Sequence, residues 1–413
     1  MGVDMRGHRW QSSPMRFDDL LAPSTRVMGA SAIREILKVV AQPGMISLAG
    51  GIPAPESFPL DLMGTLTETV LTRFGSTALQ YDRTEGFAPL QAALADRLAA
   101  RGIRAEADAV LITSGSQGTL DSIAKLLIAP GDTIAVEAPT YLGALQAFSP
   151  YEPSYQTLET DDDGLIPESL EEVLQHTRVK FVYLVPTFQN PTGRTLTLSR
   201  RRRIAALIQR HDTLLVEDDP YSELRYRGEP LPSLKSMAPE HVVYTSTLSK
   251  VLAPGLRIGF VLAPEPIARW LVIAKQGVDL HTSTFCQALA AEYITGGHLD
   301  RHLPKILAFY RPRQEAMLAA LEEYFPPDFH WSRPDGGMFI WLEGPEGLDT
   351  DARAGECIRR CVAYVPGKYF YPRAGEGLAT MRLNFTMSNP QTIRRALGIV
   401  AEVFREAGTR PGR

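Results

Sequence analysis

The chain is poor in cysteine, in lysine and in long apolar runs, and these shortages exclude several classes of protein. Its 413 residues contain three cysteines (Cys286, Cys357 and Cys361), too few for a disulfide framework, and Cys357 and Cys361 have no partner pair to form a zinc site. No run of about 18 apolar residues occurs, so no segment is expected to span a bilayer. No metal site and no membrane are therefore expected.

The numbers of positive and negative charges are nearly equal. Lys and Arg together number 43 against 47 Asp and Glu, for a net charge of −4, which provides no overall cationic field for nucleic acid. Charged residues such as Arg6, Arg16 and Asp18 interrupt the N-terminal stretch, which therefore lacks the apolar core of a signal peptide. A hydrophobic fraction of 44% and a charged fraction of 22% are typical of a globular protein, here expected in the cytoplasm.

Short apolar runs alternate with amphipathic stretches between residues 110 and 263. Near-continuous apolar strands separated by helices predict a mainly parallel sheet with helices on both faces, an α/β fold. Helices are predicted over 118–127 and 198–211. The predicted strands cover residues 109–113, 133–137, 180–186, 213–218, 241–246 and 256–262.

The length predicts two or three domains, at roughly 150 residues per domain. We predict an N-terminal arm and short helix in 1–50 associated with a smaller domain, a large domain over 51–290, and the smaller α+β domain over 291–413. In the last of these, helices extend to about residue 325, short strands follow, and a final helix covers 391–407.

Polar segments follow the predicted strands, where ligands collect in open α/β sheets. Lys250 comes directly after one strand and, among the eight lysines, is the one with hydroxyl neighbours and an arginine, Arg257, seven residues on. The plain alternative is a solvated loop lysine. Four further segments at strand ends are residues 114–118, 138–141, 186–193 and 217–221.

Each of these segments has an ordinary interpretation when taken alone. The glycine-containing stretch 114–118 opens a helix whose backbone N–H groups can hold a phosphate, yet such turns are common. Asn190-Pro-Thr-Gly193 can be a simple turn, and Asp218 and Asp219 can be a helix cap or a surface pair. Five polar segments converging on one sheet edge nevertheless favour a ligand site.

Together these motifs resemble the pyridoxal-phosphate (PLP) enzymes of fold type I, specifically class I/II aminotransferases of the 2-aminoadipate and kynurenine branch. The resemblance covers nearly the whole chain. It implies transfer of an amino group from a large L-amino acid (2-aminoadipate, glutamate, leucine, kynurenine or another aromatic one) to a 2-oxo acid, with 2-oxoglutarate expected, in a ping-pong cycle. The motifs are residues 47–56, Leu79-Gln-Tyr81, Gln189-Asn-Pro-Thr-Gly193, Glu217-Asp-Asp-Pro-Tyr221, Ser249-Lys250 and Met381-Arg-Leu-Asn-Phe385.

The resemblance implies a role for each residue around the cofactor ring. Lys250 would hold the PLP aldehyde covalently and later carry the substrate proton. Asp218 would pair with the pyridine nitrogen and keep the ring protonated. Asn190 and Tyr221 would donate hydrogen bonds to the ring hydroxyl oxygen, and Tyr141 would stack on the ring.

It also implies the residues that hold the phosphate and the assembly that completes the site. Tyr81 would reach the phosphate of a neighbouring subunit, which requires a homodimer with a composite active site; the alternative is a satisfied core tyrosine. Within the subunit the phosphate would lie on Ser116, Gln117, Thr247, Ser249 and Arg257.

For the substrate, the resemblance implies an arginine clamp on the α-carboxylate. Arg382 would supply it, with Asn190 beside it, although a structural surface arginine is the alternative. Arg34 would meet a distal carboxylate or swing aside for an apolar side chain; a solvated arginine is the alternative. Gly50 and Gly51 would let the backbone approach the substrate closely.

Two rival functions stay open at this point. Another PLP reaction on the same scaffold, such as β-elimination or racemisation, uses the same cofactor motifs. A transcription regulator with an aminotransferase-like domain needs a DNA-binding domain ahead of it, and only about 30 residues precede the first family motif, too few for such a module.

Overall fold

The computed structural model describes residues 17–28 and 42–408, so the predicted short N-terminal helix and Arg34 lie outside the described residues. Its strands are β1 (Ile46–Ser47), β2 (Leu111–Thr113), β3 (Thr133–Glu137), β4 (Ser154–Leu158), β5 (Thr160–Asp161), β6 (Gly164–Leu165), β7 (Val182–Leu184), β8 (Leu215–Asp218), β9 (Val242–Thr247), β10 (Gly259–Leu262), β11 (His330–Trp331), β12 (Phe339–Glu343), β13 (Val362–Ala363), β14 (Val365–Pro366) and β15 (Thr380–Asn384). The α-helices are α1 (Leu60–Phe74), α2 (Ala88–Ala99), α3 (Ser116–Leu127), α4 (Leu142–Phe148), α5 (Pro167–His176), α6 (Leu198–Arg210), α7 (Leu234–Met237), α8 (Glu265–Gln276), α9 (Thr284–Thr295), α10 (His298–Tyr324), α11 (Thr350–Arg359) and α12 (Pro390–Gly408).

A seven-stranded sheet in the order β2-β10-β9-β8-β7-β3-β4 forms the centre of the molecule. All its strands are parallel except β10, which is antiparallel to both neighbours, β2 and β9. The prediction of a mainly parallel sheet is confirmed. The reversal of β10 follows from its connection, because residues 248–258 form two 3-10 turns, and a parallel crossover needs a dozen or more residues, usually with a helix.

Helices cover both faces of this sheet, as the α/β fold class requires. Successive residues of a strand point to opposite faces, so Tyr183 packs in one apolar core while Val182 and Leu184 pack in another. The first core includes side chains of α2, α3 and α9, and the second includes side chains of α5 and α6. The sheet is thereby held rigidly enough to present its carboxyl edge as a fixed surface.

Strand β4 is absent from the strands predicted above. Its sequence is Ser-Tyr-Gln-Thr-Leu, and only Leu158 is fully buried. It lies at the edge of the sheet, paired on one side with β3. Polar residues suit an exposed edge strand, so the apolar pattern that marks the central strands is missing here.

A second, antiparallel sheet in the order β11-β12-β15-β14 lies in the C-terminal part of the chain. Helices α10 and α12 pack against each other beside it, and β1 pairs in parallel with β13. The division of the chain at residues 50 and 290 stays a prediction. None of the helices within residues 17–28 and 42–408 is long and apolar enough to cross a membrane.

Candidate active site

A cavity of about 220 Å³ opens at the carboxyl edge of the seven-stranded sheet. Twelve of its fifteen lining residues belong to the predicted site, and they come from both sheets and from the loops that follow the strands. The lining residues are Gly51, Ile52, Ser116, Gln117, Tyr141, Val185, Asn190, Asp218, Pro220, Tyr221, Thr247, Ser249, Lys250, Arg257 and Arg382. Sequence reasoning missed Ile52, Val185 and Pro220, because apolar residues carry no chemical signature of their own.

Lys250 lies in the 3-10 turn Leu248–Lys250 directly after β9. Its Nζ donates a hydrogen bond to Gly51 O at 3.2 Å. Burial, with Arg382 and Arg257 nearby, lowers the pKa of Lys250 to about 8, although Asp218 opposes this shift. The amine is therefore substantially neutral near pH 8 and nucleophilic, and the solvated-loop alternative is wrong.

Asp218 is the last residue of β8 and is 2% exposed, so the surface-pair alternative is wrong. Its Oδ2 accepts a hydrogen bond from Tyr183 Oη at 2.8 Å. Its Oδ1 is buried without a hydrogen-bond donor among the described residues. Burial raises the pKa of Asp218 to about 7, while Tyr183 and Lys250 act in the opposite direction. A buried carboxylate oxygen at the cavity wall needs a cationic or N–H donor.

Arg382 extends from β15 of the second sheet into the same cavity. It is 1% exposed, its Nη1 donates to Asn190 Oδ1 and its Nη2 to Ala49 O, both at 2.8 Å. No carboxylate among the described residues pairs with it, and its Nε has no partner there. Burial lowers the pKa of Arg382 to about 10. The surface alternative is wrong, since a buried guanidinium without a counter-ion is suited to bind an anionic ligand.

Asn190 and Tyr221 join this arginine to the neighbourhood of Asp218. Asn190 Nδ2 donates to Tyr221 Oη at 3.4 Å, and the ring of Tyr221 meets that of Phe339 edge-on at 5.8 Å. Burial raises the pKa of Tyr221 far above its usual range, so its phenol stays protonated and available as a donor. Both groups line the cavity and can donate to one ligand oxygen.

The start of α3 forms an anion cradle. Gly115 adopts a φ of +84° immediately before Ser116, the first residue of the helix. Arg257 Nη2 donates to Ser114 O at 3.1 Å, and the Thr247 and Ser249 hydroxyls are 2.8 Å apart. A helix N-terminus beside an arginine and hydroxyl donors suits a phosphate.

One glycine that sequence reasoning missed keeps the cradle compact. Gly259 of β10 lies opposite Thr113 of β2 and Thr247 of β9. A Cβ at this position would lie 2.7 Å from Gly115 C and 2.8 Å from Ser116 N, both backbone atoms. A glycine inside a strand is the available signal, because it often marks a close backbone approach.

Tyr141 forms one wall of the cavity directly before α4. Its ring lies over Gly143, where a Cβ would approach Tyr141 Cζ to 2.4 Å. Gln117 Nε2 donates to Gly143 O at 2.6 Å, and Tyr141 Oη lies 3.5 Å from Gln117 Oε1. Burial raises the pKa of Tyr141 to about 12, so the ring that borders the cavity is neutral.

Three predicted residues are not brought to the cavity by the described structure. Gly50 is buried beside it, with its N–H 3.4 Å from Ser47 Oγ, but does not line it. Tyr81 is 78% exposed and its ring meets His281 edge-on at 5.7 Å, so the core-tyrosine alternative is wrong. Arg34 lies outside the described residues.

The donor set of the cavity fits pyridoxal phosphate. The cradle at Ser116 fits its phosphate, and the unpaired Asp218 Oδ1 fits its ring nitrogen. The amine of Lys250 fits its aldehyde. The amide of Asn190 and the phenol of Tyr221 match the ring hydroxyl oxygen. Arg382 then remains for a carboxylate of the substrate.

Comparisons with known proteins agree with this fit. The family described as Aminotransferase class I and II matches residues 64–400 of this chain. The aromatic-amino-acid aminotransferase 1 of Thermococcus litoralis is 48% identical over 92% of each chain. The kynurenine aminotransferase of Pyrococcus horikoshii, solved with PMP, has a TM-score of 0.92 at 43% identity, covering 95% of this chain and 99% of that one. The alpha-aminoadipate aminotransferase of Thermus thermophilus, solved with N-(5'-phosphopyridoxyl)-L-leucine, has a TM-score of 0.88 at 37% identity, covering 95% and 99%.

Proposed function

This chain belongs to the class I and II aminotransferases, and on that premise we propose that it transfers the amino group of a large L-amino acid to 2-oxoglutarate. It is a PLP-dependent transaminase. The relatives are named for aromatic amino acids, kynurenine and aminoadipate, and one of them was solved with a leucine derivative. These names support a donor with a large side chain. The observation that carries the proposal is the buried Arg382, which pairs with no carboxylate of residues 17–28 and 42–408, in the same cavity as the Lys250 amine, whose pKa is lowered.

Pyridoxal phosphate supplies an electron-withdrawing protonated ring that makes the α-proton of a bound amino acid removable. Asp218 Oδ1 would hold the proton of the ring nitrogen, since the hydrogen bond from Tyr183 keeps the other carboxylate oxygen occupied. Asn190 Nδ2 and Tyr221 Oη would donate to the ring hydroxyl oxygen. Ser116, Gln117, Thr247, Ser249 and Arg257 would hold the phosphate, and Tyr141 lines the same cavity.

Lys250 provides the amine that binds the cofactor and the base that moves the substrate proton. Its lowered pKa leaves a substantial fraction of Nζ neutral near pH 8, so it would accept the α-proton of the donor and pass it to the cofactor carbon that receives the amino group. The backbone carbonyl of Gly51 accepts a hydrogen bond from Nζ at the cavity wall.

Arg382 orients the substrate. Its guanidinium binds the α-carboxylate. Asn190 Oδ1 and Ala49 O accept hydrogen bonds from the guanidinium and fix its orientation. The rings of Phe339 and Phe370, 4.4 and 5.1 Å from Arg382 Cζ, keep water from the charge and strengthen its attraction for the carboxylate. Gly51, which lines the cavity, would let the substrate pass close to the backbone, and Arg34 would meet a distal carboxylate of dicarboxylic donors.

The enzyme acts as a homodimer in which Tyr81 reaches the phosphate of the neighbouring subunit. The exposure of Tyr81 and of Leu79, at 78% and 71%, supports this arrangement, because large apolar side chains exposed together mark an interface. The cytoplasmic location stays a prediction.

A donor panel with 2-oxoglutarate tests the reaction. We expect glutamate to form from aromatic, aminoadipate and leucine donors; pyruvate with ammonia, or racemised donor without glutamate, would contradict transamination. Lys250→Ala should abolish turnover, and borohydride reduction of the wild type should fix the cofactor on Lys250. Lys180→Ala, at a partly exposed lysine paired with Asp132, is the matched control and should retain both activity and labelling.

The same panel tests Arg34. In Arg34→Ala, dicarboxylic donors should lose far more activity than leucine, because only they present a second carboxylate. An equal loss for both donor classes would exclude a distal clamp.

A further inference from the structure

A polar cluster lies behind the phosphate cradle and takes no part in the reaction proposed above. It consists of Ser114, Lys275, Asp279 and Thr282. Lys275 Nζ donates to Asp279 Oδ1 at 2.7 Å, to Asp279 Oδ2 at 2.8 Å and to Thr282 Oγ1 at 3.1 Å. Ser114 Oγ donates to Asp279 Oδ2 and lies 3.1 Å from Thr282 Oγ1.

The lysine of this cluster is buried, and the aspartate that pairs with it is partly exposed, at 28%. Lys275 is 5% exposed, and burial lowers its pKa, with Asp279 opposing the shift. Loss of the Asp279 carboxylate would leave the buried Lys275 ammonium without its counter-charge, which favours retention of this pairing geometry. The pair therefore fixes where Asp279 can accept the hydrogen bond of Ser114.

Ser114 connects the cluster to the cradle. It immediately precedes Gly115 and Ser116, and its carbonyl accepts the hydrogen bond of Arg257 Nη2. A cavity of about 80 Å³ lies beneath it, bordered by Thr119, Lys275 and Asp279. Apolar side chains such as Leu271 and Val278 also line this space, and the hydrogen bond to Asp279 is the polar contact of the Ser114 hydroxyl on this side.

The segment that carries Asp279 is itself anchored at its far end. Thr284 Oγ1 donates to Gln80 O at 3.0 Å, and Gln287 Nε2 donates to Thr282 O at 2.7 Å. The ring of His281 contacts that of Tyr81. Asp279 is therefore part of a fixed element that can impose a position on the loop after β2.

We propose that Lys275 and Asp279 are positioning residues for the cofactor phosphate: through Ser114 they hold residues 114–117 in the conformation that binds it. The inference rests on the proposed function, in which that cradle receives the phosphate. It assigns a role to two residues that do not line the cavity of the proposed reaction.

The test compares two ligands of cofactor-depleted enzyme, pyridoxal phosphate and pyridoxal, which lacks the phosphate. Dissociation constants are measured by absorbance titration. Asp279→Asn keeps the shape of the side chain but removes its charge, and a lost hydrogen bond to a charged group weakens binding by about tenfold or more. We expect that loss for pyridoxal phosphate and an unchanged constant for pyridoxal. Lys275→Met, which removes the other charge, should shift the two constants in the same way.

A matched control separates positioning from general damage. Lys368 and Asp351 form another lysine–aspartate pair, 2.6 Å apart, outside the cradle. Asp351→Asn should leave both constants unchanged. As a second readout, inorganic phosphate should raise the unfolding temperature of the depleted wild type more than that of the folded Asp279→Asn variant.

Equal weakening of both ligands in Asp279→Asn, or no weakening of either, would overturn the inference while leaving the proposed function intact. A wild-type enzyme that binds the two ligands equally well would instead overturn the phosphate cradle on which the inference depends. Loss of transamination without any change in the ligand ratio would also contradict a positioning role.

Discussion

The buried carboxyl group of Asp218 should make the cofactor-free enzyme less stable as the pH rises, and Asp218→Asn should remove that dependence. Burial raises the pKa of Asp218 from 3.8 to about 7 in the folded protein. The native state then keeps a proton that the unfolded chain gives up first. The stability contributed by this proton is complete below about pH 4 and is lost as the pH rises through about 7.

The two pKa values set the magnitude. They differ by about 3, and each unit corresponds to about 1.4 kcal/mol, so about 4 kcal/mol is lost by pH 8. Of this, roughly 1.5 kcal/mol is already lost at pH 5, which leaves about 3 kcal/mol between pH 5 and pH 8. Asparagine does not ionise, so the stability of Asp218→Asn relative to wild type should increase by that amount over the same interval.

Urea unfolding of cofactor-depleted wild type and Asp218→Asn at pH 5 and pH 8 measures this difference. Other carboxyl groups titrate in both proteins and cancel in the comparison. A relative stability that does not change with pH would refute the reasoning. In the loaded enzyme the same substitution should lower turnover by roughly 10²–10⁴, because it leaves the ring cation without its buried counter-charge; near-normal turnover would contradict the role of Asp218.

Three further substitutions test the site. Arg382→Lys keeps a charge but loses the planar fork, so kcat/KM for the amino donor should fall by about 10–100-fold per lost charged hydrogen bond; an unchanged value would exclude the carboxylate clamp. Tyr183→Phe leaves Asp218 Oδ2 without its donor and should cost about 1–3 kcal/mol of unfolding free energy at pH 8, and an unaltered urea midpoint would contradict that. Gly259→Ala should weaken cofactor binding by about tenfold, since overpacking against backbone costs about 1–3 kcal/mol. Gly255→Ala is the control, because a Cβ at Gly255 has no atom within 4 Å. Equal cofactor affinities of the two variants would contradict the close approach at Gly259.

The central strands could be predicted because their apolar runs are nearly continuous. Strands β3, β8 and β9 fall within the predicted ranges to within one residue, since both of their faces are buried. Strand β4 was not predicted, because an edge strand tolerates polar residues. The antiparallel direction of β10 could not be predicted, because an apolar run does not show which way its strand will point in the sheet. The short connection 248–258 determines that direction.

The candidate site could be predicted where a residue has both a chemical signature and a position at a strand end, as Lys250 and Asp218 do. Tyr183 has no such signature, because it lies inside β7 and reads as a core residue. Its phenol reaches Asp218 because it pairs with Val216, two residues before Asp218 on the same face of β8. The sequence does not show that register. Nor does it show that Gly259 pairs with Thr113 on one side and with Thr247 on the other.

By itself, the amino-acid sequence determined which side chains carry chemistry and that most of them follow strands, because hydrophobic periodicity and motif spacing are local properties. Only the tertiary structure decided which strand ends are neighbours. Insertion of β10 between β2 and β9 places the start of α3 beside Lys250, and β15 of another sheet brings in Arg382. Strand order and register depend on backbone hydrogen bonds, which every residue type except proline makes alike, and on the packing of distant segments.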